Sequence, residues 1–214
     1  MNTSIALLAV PVALTIGFVA GRLDTSSVEA SSTVLGSTVL AQEAAAAQEM
    51  SPEQLAYFMP GEHHKLLEVF VGSWDAAVEM AGPEGAMTVQ GAMEARLVMG
   101  GRYLQQDFTA DMMGMPFEGM SLMGYDGLGK VFESIWIDNS TTDLMTSTGF
   151  AAPDGVNFTM LSEEVDQATM TKREVELRTR VVSRDEIVYE HWSVGADGTQ
   201  SKTLSITYKR KAAR

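Results

Sequence analysis

His191 lies between Glu190 and Trp192, with Tyr189 two residues back, and it offers the chain's best material for acid–base chemistry. An imidazole beside carboxylates titrates near neutrality and can carry a proton to or from a bound molecule. A second candidate is the stretch GRYLQQDFTADMMGMPFEGM, residues 101–120. It threads two glutamines, two aspartates and a glutamate among aromatics. Met112, Met113, Met115 and Met120 lie within it and Met123 just beyond. Soft thioethers select copper(I), but no cysteine accompanies them, and Met equally fills irregular apolar gaps. Packing or cavity lining is the expectation, with no metal and no cofactor. The adjacent pair His63-His64 diverges by ~100° on a helix, unlike an i,i+4 ligand pair, so an exposed helix face is expected. No nucleophile elbow, phosphate loop, zinc helix or dinucleotide fingerprint occurs in the sequence.

Composition narrows the classes further. The chain has 214 residues, of which 45% are hydrophobic and 20% charged, enough for one domain with a sizeable core. Its net charge is -13, and residues 51–214 hold 14 Lys and Arg against 24 Asp and Glu. Nucleic-acid binding needs clustered cations, so it is excluded as an expectation. The one basic cluster, Lys209, Arg210, Lys211 and Arg214, reads as a solubilising end. The absence of cysteine rules out disulfides, thiolate zinc sites, thiol nucleophiles and lipid attachment on cysteine.

Three segments follow from the patterning. Ile5–Ala20 runs sixteen residues without a charge. As a helix it spans ~24 Å, short of the ~30 Å hydrocarbon core unless flanking residues are recruited. Residues 1–22 therefore read as a signal anchor or a signal peptide, engaging a membrane through residues 4–21. Residues 23–50 form a Ser/Thr/Ala/Gln-rich tether, disordered or partly helical. The domain at 51–214 is then expected on the exported, periplasmic side of the inner membrane, anchored or released by cleavage.

Within 51–214, Ser51-Pro52-Glu53-Gln54 is a helix start with Ser as N-cap, and this helix should stop by Pro60. A second short helix is predicted over Glu62–Val69. From Trp74 the hydrophobic period changes from 3.6 to 2. Val175, Leu177, Thr179 and Val181, for example, alternate with Glu174, Glu176, Arg178 and Arg180. Turn signals at 82–85, 100–101, 126–127, 153–155 and 197–198 divide the remainder into about ten strands. These lie near 73–81, 86–98, 102–112, 116–125, 130–138, 142–150, 155–162, 171–183, 186–194 and 202–210. Such spacing without helical crossovers means antiparallel hairpins, and a meander this long removes its edges by closing. The fold class is all-β, an antiparallel up-and-down barrel preceded by short helices. Its interior has room for one small ligand.

Gly72-Ser73-Trp74, opening the first strand after a short helix, resembles the G-x-W signature of lipocalin-like (calycin) barrels. That resemblance implies a Trp plugging one end against a basic residue near the last strand, here Arg210 or Lys209. Further matches are Gly100-Gly101-Arg102-Tyr103-Leu104, Phe117-Glu118-Gly119, Gly124-Tyr125-Asp126 and Trp136-Ile137-Asp138. With these, residues 51–210 are similar to a bacterial lipocalin-like family of unassigned function, domain of unknown function 1579. The resemblance implies a calycin-type barrel and supplies no activity.

On strand 102–112, Arg102, Leu104, Gln106 and Phe108 share one face, and Tyr103, Gln105, Asp107 and Thr109 the other. The polar set is either the solvent face or a wet lumen, and parity alone does not choose. The expected function is an exported, membrane-tethered barrel that binds a small, mostly apolar ligand. The ligand-binding candidates are Tyr103, Phe108, Met120, Met123, Trp136 and Trp192, with Gln106, Glu118, Asp138 and Glu190 as polar orienters. Two alternatives stand beside it. One is a hydrolase or isomerase using carboxylates and His191 in the lumen; the other is a packed barrel without a ligand.

Overall fold

The structure, a computed structural model, describes residues 51–82, 85–166, 169–195 and 197–212. The Ile5–Ala20 run and the tether lie outside these residues. Among the described residues, no helix is long and apolar enough to cross a membrane.

Two short helices lead into the sheet. Helix α1, Pro52–Phe58, starts as its sequence dictates: the Ser51 hydroxyl accepts the Gln54 N–H, and the Gln54 side chain accepts the Ser51 N–H at 2.7 Å. Helix α2, Glu62–Lys65, gives way to a 3-10 stretch at Leu66–Phe70, where one α-helix was expected throughout. The tighter winding puts Leu67 and Phe70, three residues apart, into the core.

Ten antiparallel strands follow: β1 (Gly72–Gly82), β2 (Gly85–Val98), β3 (Tyr103–Met112), β4 (Met115–Asp126), β5 (Val131–Asp138), β6 (Met145–Ala151), β7 (Asn157–Asp166), β8 (Thr171–Ser183), β9 (Glu186–Val194) and β10 (Gln200–Arg210). Each pairs with its sequence neighbours, and β10 returns to β1, closing the barrel. Closure satisfies every strand edge. The seam register is Trp74 opposite Arg210 and Val78 opposite Ile206. The methionine-rich stretch 101–120 falls on the β3–β4 hairpin. Its turn is only Met113-Gly114, both at positive φ, with Met112 opposite Met115. This is tighter than a four-residue turn, because two residues with φ > 0 match the strand twist.

One end of the barrel is plugged. Trp74, Leu67, Leu104 and Phe132 are fully buried there, and Phe158 bridges Phe70 and Phe132 at ring-centroid distances of 5.4 and 5.5 Å. The Trp74 indole N–H donates to the Phe70 carbonyl at 2.8 Å, and the Arg210 guanidinium lies 4.0 Å from the ring centroid. Arg210 donates in addition to the carbonyls of Val69, Val71 and Arg184, tying the 3-10 stretch to the barrel seam. The G-x-W expectation therefore holds, with Arg210 rather than Lys209 as the basic partner. Lys209 sits on the outward parity opposite Asp75. Gly72 has φ +132°, and a Cβ there would collide with the Arg210 guanidinium, so glycine is required beside the plug.

The histidine pair splits. His63 is exposed and stacks on Tyr125 at 4.2 Å, while His64 is buried and its Nδ1 accepts the Gly61 N–H at 3.0 Å. The expectation of a shared exposed face is corrected for His64. Burial, then the Arg102 and His63 charges, lower its pKa below the ordinary imidazole value.

Candidate functional site

Above the plug the lumen holds a cavity of about 760 Å³ that opens toward the far rim. Inward positions follow from the seam. With Trp74 and Arg210 facing in, strict alternation turns Leu104, Gln106 and Phe108 inward on β3, and Tyr189 and His191 inward on β9. Tyr103, Gln105, Asp107 and Thr109 are thus the outer face.

The apolar wall comes from β2 to β5. Met93, Phe108, Met112, Phe117, Met123 and Trp136 line it. The Trp136 ring stacks on Phe117 at 6.5 Å and lies over Gly119, where any Cβ would collide with the indole. Its Nε1 donates to Asp138 at 2.8 Å. Asp138 also accepts from the Ser140 N–H and hydroxyl and from the Thr141 N–H. These bonds outweigh the opposing effect of burial and hold the carboxyl below the usual range. They also delay β6 to Met145, where a start near 142 was expected. Asp138 is thus an ionised anchor of the 139–144 rim that aims Trp136 at the cavity.

The polar wall comes from β7 to β10. Glu164 lines the cavity and accepts from Arg173 Nε and Nη2 at 2.8 and 2.6 Å; His191 Nε2 approaches its other oxygen at 3.1 Å. His191 Nδ1 shares a hydrogen with the Thr203 hydroxyl at 2.8 Å, and Arg173 Nη1 donates to Asp166 at 3.0 Å. Burial alone would raise the Glu164 pKa, but the His191 and Arg173 hydrogen bonds override it and lower it. Tyr189 and Tyr208 continue this wall toward the plug. Burial, the larger cause, pushes both phenols up, helped at Tyr189 by the Glu164 charge.

Of the ten residues expected at the site, Gln106, Phe108, Met123, Trp136 and Asp138 line the cavity. Tyr103, Glu118, Met120, Glu190 and Trp192 do not, and alternation is the reason in every case. Tyr103 is exposed beside Gly124, and Met120 receives an N–H from Gln105 on the outer face. Glu118 is exposed too. Trp192 lies under Arg178, 4.6 Å from its centroid, and donates to Glu190, which binds Lys202. The carboxylate beside His191 is therefore Glu164, contributed by β7, and not its sequence neighbour Glu190. Glu164, Arg173, Thr203 and Tyr208 were not among the sequence candidates, and Tyr189 figured only as a neighbour of His191. Tyr189 and Tyr208 could have been found by counting alternate residues from His191 and Arg210.

The five methionines also divide. Met112 and Met123 line the cavity, whereas Met113 and Met115 project into solvent at the hairpin tip. Among the described residues no group of three or more His, Cys, Asp or Glu could hold a metal ion.

A closed ten-stranded up-and-down barrel, plugged by a Trp–Arg pair at one end and hollow at the other, is a calycin-type architecture. The family model described as "Protein of unknown function (DUF1579)" matches residues 59–210, and the chain belongs to that family. A comparison with curated proteins found no match. Among solved structures, the chain is similar to Rv2717c from M. tuberculosis, with 13% identity and a TM-score of 0.52 over 72% of this chain and 100% of the other. At that identity the likeness concerns the fold alone. A redesigned beta barrel aligns at 15% identity over 69% and 96% of the two chains, but its TM-score of 0.35 carries no argument.

Proposed function

We propose that this barrel is a binding module that takes one small, mostly apolar molecule into its lumen, and that residues 4–21 tether it to the exported face of the inner membrane. The observation that carries the binding reading is the cavity itself. About 760 Å³ is the size of a small-molecule site, and its walls combine aromatic and thioether surface with a few placed polar groups. A purely structural barrel would fill such a space, since interiors pack to crystal density. Turnover draws less support. Both nitrogens of His191 and both oxygens of Glu164 are engaged within the wall, which fixes the pair as an orienting element. The uncharged Ile5–Ala20 run supports the tether.

Two experiments test this reading. The full-length protein should bind Nile red saturably, and Ser121→Trp should abolish binding while the protein still melts cooperatively. Ser121 faces the cavity, and no hydrogen bond of its hydroxyl would be lost. Saturable binding unchanged in Ser121→Trp would remove the lumen as the site. For the tether, recovery of the intact full-length chain in the soluble fraction of cells would defeat the membrane assignment.

A further inference from the structure

We infer that the ligand carries an uncharged hydrogen-bonding head group, a hydroxyl or a carbonyl on an apolar body, and that this head seats on the Tyr189 and Tyr208 phenols. The inference rests on the binding reading above and names the ligand class for that same cavity.

The geometry begins with the strand register. Tyr189 lies opposite Ile206 on β10, and Tyr208 is two residues further along the same strand and face. The two side chains are therefore diagonal neighbours on the inner wall, within reach of one molecule. Both line the cavity, and among the described residues neither hydroxyl has a hydrogen-bond partner in the protein. The ionised groups of this wall are engaged, Glu164 with Arg173 and His191, and Thr203 is engaged with His191, while the Thr179 hydroxyl faces the cavity beside them. Two phenol oxygens that open onto the cavity, on a wall whose ionised groups are already paired, are free to take a ligand as their partner. Burial keeps both protonated, so each can donate as well as accept. Gln106 adds to the same picture, since its amide donates only to the Met93 thioether at 3.2 Å.

The ionised groups determine the charge of that partner. Carboxylates of Asp138, Asp143 and Glu164 line the cavity, and Arg173 is the single Lys or Arg among the described lining residues. Its guanidinium is already shared between Glu164 and Asp166. An entering carboxylate would meet a net negative wall with no cation free to pair with it. In a low-dielectric site that cost is severe. An ammonium gains long-range attraction, but both Glu164 oxygens already accept hydrogen bonds, so it would be desolvated without a full set of acceptors. The body of the ligand then lies against Phe117, Met123 and Trp136. These come from β4 and β5, across the closed ring from β9 and β10.

The test uses four compounds with the same ten-carbon body: decan-1-ol, decan-2-one, decanoate and decylamine. Each is titrated against Nile red on the full-length protein at about pH 7.5, with decane as reference. The alcohol and ketone should displace the dye at concentrations at least tenfold lower than the two ions, the order expected for burying an unpaired charge. In the double variant Tyr189→Phe with Tyr208→Phe, alcohol affinity should fall about three- to tenfold, the worth of one or two hydrogen bonds, with decane unaffected. A carboxylate or ammonium that matches the alcohol would overturn the inference and leave the binding reading intact. So would a double variant that still melts like the parent and binds the alcohol unchanged. If neither Nile red nor any of the compounds binds or raises the melting temperature, the binding reading itself fails and this inference goes with it.

Discussion

Removing the Arg210 side chain tests the architecture of the plugged end most directly. Trp74 is fully buried, and Arg210 both covers its ring at 4.0 Å and donates to three backbone carbonyls, of Val69, Val71 and Arg184. Hydrogen bonds from a charged donor contribute ~1.5–3 kcal/mol each where they are shielded from water. Those to Val71 and Arg184 lie at an exposed rim, so water can replace much of their value on mutation. Counting the shielded bond to Val69 in full, the other two at a fraction, and cation–π stacking at ~0.5–2 kcal/mol, Arg210→Ala should cost about 2–4 kcal/mol. Arg210→Lys keeps the charge but not the planar fork that reaches the carbonyls, and should recover less than half of that loss. Trp74→Ala removes the largest buried side chain and should cost ~3–5 kcal/mol.

The measurement is urea unfolding followed by far-UV circular dichroism, which stays usable when the indole is gone. Unchanged m-values would show that the denatured state is not the source of the shift. Because the two side chains touch, their losses should not add. The double variant should fall short of the sum by ~0.5–2 kcal/mol, the coupling of a stacked pair. An Arg210→Ala cost below about 0.5 kcal/mol, the usual scale of surface substitutions, would refute the reasoning. So would a strictly additive cycle, since either outcome leaves the guanidinium as a solvated neighbour of the ring.

Gly119→Ala places a methyl group where the Trp136 indole lies, so it should cost ~1–3 kcal/mol by overpacking and weaken Nile red binding by displacing the ring. Parent-like stability and dye affinity together would show that the indole does not rest on β4. His64 sets a pH dependence. Its folded pKa is depressed by burial, so above the ordinary imidazole value of 6.5 both states are neutral and stability is full. As the pH falls below 6.5 the unfolded chain binds a proton that the folded one refuses, and stability declines until the folded pKa is reached. His64→Gln keeps an acceptor for the Gly61 N–H and should flatten that decline; an identical slope in both proteins would assign it elsewhere.

The strands were legible because they repeat one local rule, a period of two broken by Gly, Pro and Asp turns. Nine of the ten begin within two residues of the positions expected from that rule. The exception, β6, starts three residues late because the Asp138 carboxylate gathers the Ser140 and Thr141 backbone into the 139–144 rim. No local pattern announces that bond set. The inner and outer faces were much less legible. In β9 aromatics occupy both parities, Tyr189 inward and Trp192 outward, so amphipathicity says nothing about which is which. Trp192 can sit outside because Arg178, a strand away, covers it, and Glu190 can ionise there because Lys202 pairs with it. Both compensations come from neighbouring strands and are invisible in β9 itself. The seam offered a way through. Once Trp74 and Arg210 are read as a stacked pair, Arg210 must face inward, and Tyr208 follows by alternation. Glu164 was legible by the same count on β7, after Phe158, Met160 and Ser162. A carboxylate at the end of an apolar inward series reads at first as a strand leaving the core. It becomes a half-buried group of the cavity wall only when β8 supplies Arg173 and β9 supplies His191, partners 9 and 27 residues away in sequence. The site's polar chemistry is thus a property of how neighbouring strands register, and the residues that a linear scan favours, the acid and the aromatic flanking a histidine, are the ones that alternation turns away from it.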